Sequence, residues 1–284
     1  MSNIIEYTKR ITLDDLSVNG VATLDGEVLL SKALQLPMRD GVKVQVCAIT
    51  ISDRIPNVFN AYPFYQFDNT LLRVWTSSTV GAPVTIQLPR GLYGDSSQIA
   101  DAINAVIAPL GWYANSTIPA LSFGANSVTE KIIVTIDNSK MNSPTHQWLA
   151  LDLRKTSTNT DMAYTLGYSE GVALFQGVAA ARLIWESDIL PRMDTQGTSC
   201  DVRCSLIPDR RRDDRFVDTL AIIPFAGKNT ISDNVWPSSG QISPLLVYEG
   251  SKTINYASFR ILTMEGRQML FMAGGIHIII AFSY

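Results

Sequence analysis

Residues 84–110, VTIQLPRGLYGDSSQIADAINAVIAPL, constrain the fold more than any other stretch of this chain. An alternating segment, Val84-Thr85-Ile86-Gln87-Leu88, meets Pro89 and Gly91, which punctuate its exit. Asp95 or Ser96 then stands where a side chain can cap the orphan N–H groups of a helix. Ile99, Ala102, Ile103, Val106, Ile107 and Leu110 follow at three- and four-residue spacing, which predicts one apolar stripe. Pro109 stops that helix near Ala108. Nothing in the stretch carries chemistry, and β patterning resumes after it and runs to the C-terminus.

That patterning is dense. Val42, Val44 and Val46 alternate with Lys43, Gln45 and Cys47, the period of a half-buried strand, which continues through Ile49 and Ile51 and ends at Pro56. Further strands are predicted at 70–76, 84–88, 128–136, 148–153, 181–185, 198–207, 219–225, 243–247, 254–263, 269–272 and 276–282. Glu265-Gly266 and Gly274-Gly275 are hairpin signals, and residues 161–166 suit one helical turn. Many short strands around a single long helix predict an all-β fold: an antiparallel β-sandwich (jelly roll) with an inserted mainly-β domain carrying one helix. The expected limits are an N-terminal arm or edge strands over 1–35, a jelly-roll domain over 36–90 and 176–284, and an inserted domain over 91–175. Two jelly rolls side by side, at about 140 residues each, are the alternative.

Composition narrows the function classes. Charged residues are only 17% of the 284, below the usual quarter, while apolar residues reach 46%. A surface so poor in charge is suited to being covered, most simply by copies of the same chain. The net charge of −3 argues against a general nucleic-acid binder, which needs a basic face to displace phosphate counterions. No apolar window approaches the roughly 18–20 residues that a membrane-spanning helix requires. The N-terminus lacks the pattern of a signal peptide, and three cysteines make no disulfide framework, so assembly in a reducing compartment is expected.

The groups that could carry chemistry stand alone. His146 lies in a polar loop, and His277 alternates with Ile276 and Ile278 in an apolar strand, as a core or interface histidine would. Cys200 and Cys204 share one strand face about 13 Å apart, too far for a disulfide or a shared metal. The charge run from Asp209 to Arg215 reads as a solvated loop, with a salt-bridging subunit contact as its sharper alternative. Asp137-Asn138-Ser139 resembles part of a calcium loop without the downstream acidic ligands, and reads as a turn. Met264, Met269 and Met272 cluster with Phe271 as core packing or as a subunit seam. No catalytic, cofactor-binding or metal-binding residue is assigned, no cofactor is expected, and the chain is not read as an enzyme.

One resemblance emerges from the order of several loose motifs. A strand ends in Ile55-Pro56-Asn57 with Asn60 close behind, Asn69 precedes a strand, and Leu88-Pro89-Arg90-Gly91-Leu92-Tyr93 leads to a helix containing Ile103-Asn104. The close runs from Ala257-Ser258-Phe259-Arg260-Ile261 through Glu265-Gly266-Arg267 to Ala273-Gly274-Gly275-Ile276-His277-Ile278. Together these resemble the penton-type minor capsid proteins of polinton-like viruses, virophages and adintoviruses, within the double-jelly-roll virus lineage. The resemblance implies an upright jelly roll with an inserted domain, in a virion structural protein of the capsid assembled in the host cell. It also implies a homopentamer that plugs the icosahedral five-fold vertices, with major capsid protein trimers around it. Two alternatives stay open: a small double-jelly-roll major capsid protein forming trimers, and a non-viral β-sandwich binding module for a ligand such as carbohydrate.

Overall fold

A computed structural model describes residues 3–36, 42–76, 83–110, 119–141, 149–154, 161–169, 174–176, 182–206, 210–212, 215–225, 234–236, 245–246 and 252–283. In chain order, the first strands are β1 (Asn3–Arg10), β2 (Gly26–Leu36) and β3 (Val42–Arg54). The middle of the chain forms β4 (Leu71–Trp75), β5 (Val84–Gln87), helix α1 (Ser96–Ile107), β6 (Leu121–Ala125) and β7 (Ile132–Asp137). It continues with β8 (Ala150–Asp152), α2 (Met162–Leu166), β9 (Leu174–Gln176) and β10 (Arg182–Glu186). The last third contains β11 (Ser199–Cys204), β12 (Arg210–Arg212), β13 (Arg215–Val217), β14 (Thr219–Pro224), β15 (Asn234–Trp236), β16 (Leu245–Leu246), β17 (Lys252–Thr263) and β18 (Ala273–Ser283). The chain divides into two units, Met1–Ile55 with Gln196–Tyr284, and Pro56–Thr195.

The first unit is a sandwich of two antiparallel sheets. One runs β1-β18-β3-β15, with β16 also on β3, and the other runs β14-β11-β17-β2. Taking β15 and β16 as one position, the roll has eight positions along the chain. Numbered in that order, the sheets read 1-8-3-6 and 5-4-7-2, which is the strand order of a jelly roll. The second unit therefore enters the chain between the third and fourth strands of the roll. The two N-terminal strands, β1 and β2, are edge strands of opposite sheets. Alternation selects the inward faces: Ile276, Ile278, Ile280 and Phe282 from β18 meet Cys200, Val202 and Cys204 from β11 and Phe259 and Ile261 from β17. Each such large side chain withdrawn from water contributes about 1.5–3 kcal/mol.

A latch joins the two edge strands. Tyr7 on β1 stacks on Phe259 with ring centroids 4.7 Å apart, and its hydroxyl donates to Leu24 O at 2.7 Å. Gly26 opens β2 at this point because any Cβ there would stand 2.5 Å from the Tyr7 hydroxyl. Beside it, Asp25 accepts from the Ile261 N–H at 2.8 Å and from Gln268 Nε2 at 3.1 Å, and Lys9 Nζ donates to the Asp25 carbonyl at 2.8 Å. Burial raises the Asp25 pKa above the ordinary carboxylate value, against the pull of these donors.

The second unit is built from shorter strands, in sheets β5-β4-β8-β9 and β10-β7-β6. Helix α1 buries Ile99, Ala100, Ile103 and Ile107 in a core with Leu72, Val74, Leu121, Val134, Ile136 and Leu151. Asp95 is its cap, accepting from Gln98 N at 2.9 Å. Leu110 leaves the predicted stripe: the chain tightens into a one-turn 3-10 helix over Ala108–Leu110, and its side chain is exposed.

The strands also depart from the sequence reading in several details. Strands β4, β5 and β10, expected in the roll, pair within the sheets of the second unit instead. Alternation shows that a segment is a strand but not which sheet receives it. The strand expected from Val128 starts at Ile132, because Asn126 Oδ1 takes the N–H groups of Val128 (2.9 Å) and Thr129 (3.1 Å) and folds that stretch into a turn. Residues 269–272 form no strand, and Phe271 makes an isolated bridge with Ala22 instead.

Candidate functional site

The residues singled out for chemistry are dispersed. His277 lies on the outward face of β18, 2.8 Å from Glu6 Oε1 on β1, with Ile279 and Ala281 on the same face. Cys200 and Cys204 form no disulfide and are buried in the sandwich, where burial pushes the Cys204 thiol up to about 12, so it fills space as a neutral group. Cys47 is exposed on β3. Residues of the charge run form a two-stranded ribbon, β12 with β13, in which Arg212 pairs Arg215. Asp137 accepts from Ser139 N at 3.1 Å and opens a 3-10 turn, while Asn138 Oδ1 accepts from Leu149 N at 3.0 Å. Met269 and Phe271 are buried in the first unit's core, and Met264 is exposed. His146 lies outside the described residues. Among the described residues, no group of three or more His, Cys, Asp or Glu could hold a metal ion.

Three asparagines among the motif residues act as structural clamps within the second unit. Asn57, fully buried, presents its amide to one backbone residue twice: Nδ2 donates to Tyr93 O at 2.8 Å and Oδ1 accepts from Tyr93 N at 2.9 Å. Asn69 accepts from Phe59 N at 2.7 Å and donates to Asn57 O at 2.6 Å and to Thr165 Oγ1 at 2.7 Å. Asn104 on α1 repeats the two-bond pattern on Phe123, with Nδ2 to the carbonyl at 2.7 Å and the N–H to Oδ1 at 2.8 Å. A primary amide offers a donor and an acceptor side by side, so it substitutes for a missing strand neighbour. In the first unit Gln196 does the same for Leu270, at 2.9 and 2.8 Å. Sequence reasoning found these asparagines as motif members, but no periodicity announces a side chain that pairs backbone.

Exposed apolar side chains stand on the outer faces of both sheets of the roll. On the β1-β18-β3 sheet, Ile4 is 65% exposed and stands opposite Ala281, with Glu6 opposite Ile279. On the outer face of the other sheet, Leu29 is 82% exposed and pairs directly with Tyr256, itself 54% exposed. Arg260 lies farther along the same face of β17, 3.0 Å from Asp218. The roll thus presents two unlike apolar patches, one on each sheet.

No known family's sequence profile matches the chain, and no curated protein does. Among solved structures it is similar to the mavirus penton protein, at 10% identity over 100% of this chain and 99% of that one, with a TM-score of 0.46. It is also similar to a chain of the Sputnik virophage structure, at 13% identity over 98% of this chain and 97% of that one, with a TM-score of 0.41.

Proposed function

We propose that the chain is a virion structural protein, the subunit of a penton that closes by head-to-tail self-association at the five-fold vertices of an icosahedral capsid. A jelly roll alone does not choose this role, since the fold also serves lectins and cupins. The observation that carries the reading is the pair of unlike apolar patches on the two outer faces of the roll, Ile4 on one and Leu29 with Tyr256 on the other. A two-fold dimer needs only one self-complementary patch, whereas a ring needs two different patches that fit each other. Tyr256 suits the centre of such a contact, since tyrosine gives large rigid area at low entropic cost. The motif order around Asn57, Asn69, Tyr93 and Asn104 supports the penton assignment, and the low charge density suits a surface covered on assembly. The neighbours in this reading are identical subunits and major capsid protein trimers, with no cofactor and no nucleic acid.

Single substitutions on the two faces test it. Ile4→Asp and Leu29→Asp each alter an exposed side chain, so both variants should fold. Each alone should fail to form a ring, and mixing them should yield one-to-one pairs joined through the faces left intact, measured by native mass spectrometry. Wild-type assembly by either variant alone would show that these faces are not the contacts.

A further inference from the structure

We propose that the outer edge of β10 is a second self-association site, pairing antiparallel with the β10 of another copy about a two-fold axis. Within the sheet β10-β7-β6, β10 is an edge among the described residues. Ser187 N–H donates to Ile132 O at 2.8 Å, and β10 runs in register with β7 from Glu186 opposite Ile133 to Arg182 opposite Asp137. In an antiparallel ladder the backbone groups of alternate residues point to opposite sides. Leu183 and Trp185 therefore share the inward direction of Ser187, and the N–H and C=O groups of Arg182, Ile184 and Glu186 face away from β7.

The opposite edge of this sheet shows what closure looks like. There Asn104 spans the N–H and C=O of Phe123 on β6 and occupies the outward groups at the middle of that strand. At the matching place on β10 stands Ile184, 57% exposed, between exposed Arg182 and exposed Glu186. Charged residues on an edge strand commonly guard it against pairing, and that role is best served by like charges. Here the signs are opposite and symmetric about the isoleucine. Two copies aligned with Ile184 on Ile184 place each Arg182 across from a Glu186, and opposite charges directly across a strand pair attract. The three facing pairs all fall at outward backbone positions, so each exchanges two hydrogen bonds. Glu186 Oε1 is already held by Asn126 Nδ2 at 2.9 Å and by Thr129 Oγ1, which fixes the carboxylate in place and leaves Oε2 for the incoming guanidinium. The occupant this pattern fits is a second copy of the same chain.

The contact is separate from the patches on the roll, and a two-fold contact joins one ring to another rather than closing a ring. The test uses the full-length chain with Arg182→Glu, with Glu186→Arg, and with the two mixed, followed by sedimentation across a concentration series. Each single variant faces like charge with like charge and should weaken pairing at least tenfold, halving the largest mass seen with wild type. The mixture restores opposite charges at both ends and should recover the wild-type mass as one-to-one hetero-pairs. Ile184→Pro, tolerated because that N–H serves no bond to β7, should also abolish pairing without lowering the melting temperature. Unchanged mass in the single variants, no rescue in the mixture, or no pairing of wild type at any concentration would overturn the proposal. Whether rings form is read separately, from Ile4→Asp and Leu29→Asp on the roll.

Discussion

The two units solve the same problem, satisfying the backbone of many strands, by different means. In the roll the principal strands are long: β3, β17 and β18 have 13, 12 and 11 residues, and β18 pairs with β3 from Ala273 opposite Arg54 to Ser283 opposite Lys43. Ladders of that length consume their own donors and acceptors, so side chains are free to form a dry core. The second unit has strands of three to six residues, and short ladders leave backbone groups unpaired at their ends and edges. There Asn57, Asn69 and Asn104 supply the missing partners. Both units rest on a buried apolar core, and specific amides add to it at Gln196 in the roll and at three asparagines in the second unit.

The comparison is sharpest where a charge enters a core. Ile103 is fully buried, so Ile103→Asp should cost the second unit about 4 kcal/mol or more, because the new carboxylate has no partner. Hydrogen exchange should show protection lost across residues 56–195 and largely kept in β3 and β18. Equal loss in both units would mean that they unfold as one body.

Next comes the polar clamp. Asn69→Ala strands the Phe59 N–H at a site with no exposure and leaves the Asn57 carbonyl with the Thr195 hydroxyl, and should destabilise the second unit by about 1–3 kcal/mol by chemical denaturation. A loss below about 1 kcal/mol would show that apolar packing dominates there as well. In the roll the corresponding probe is the latch. Gly26→Ala pushes a methyl group onto the Tyr7 hydroxyl and should cost about 1–3 kcal/mol. Combined with Tyr7→Phe, which removes that oxygen, the loss should fall short of the sum of the two single changes.

The smallest effect concerns acid, and one buried carboxylate in each unit responds with opposite sign. Asp152, buried in β8, sits at 3.2 Å from Arg73 and 2.9 Å from Arg154. Burial works against its charge, but the Arg154 hydrogen bonds and the two guanidinium charges outweigh it and hold its pKa below the ordinary value. Its stabilisation is therefore present above the unfolded-state pKa and is lost as pH falls through the folded one. Asp25 is raised instead, so the fold penalises its ionised form at neutral pH and that penalty disappears on acidification. Exchange at β4 and β8 should accelerate in acid before exchange at β1 and β2. Asp152→Asn should reduce the acid sensitivity of β4 and β8 and lower the second unit's stability at neutral pH. Acceleration in the reverse order would contradict this assignment.

Much of this organisation was legible in the sequence, for identifiable reasons. Period-2 alternation at Val42, Val44 and Val46 and the stripe from Ile99 to Ile107 are local, so β3 and α1 follow from them directly. The hairpin of Leu71–Trp75 with Val84–Gln87 follows from the turn-rich segment between them, but the choice of sheet is not local: nothing in Leu71–Trp75 reveals that it also pairs with Ala150–Asp152 in a unit apart from the roll. Strand β6 escaped because Leu121-Ser122-Phe123-Gly124-Ala125 is short and includes a glycine, while its outer edge depends on an asparagine 19 residues away. The patches at Ile4, Leu29 and Tyr256 were invisible for the same reason, since Leu29 and Tyr256 become neighbours only once β2 pairs with β17.

The mass and symmetry of the purified protein, taken by native mass spectrometry at low concentration, bear most directly on the central claim. The account predicts a species of five 31.2 kDa chains, reduced to single chains by either Ile4→Asp or Leu29→Asp. A wild-type chain that stays single, or that closes in threes, would contradict it.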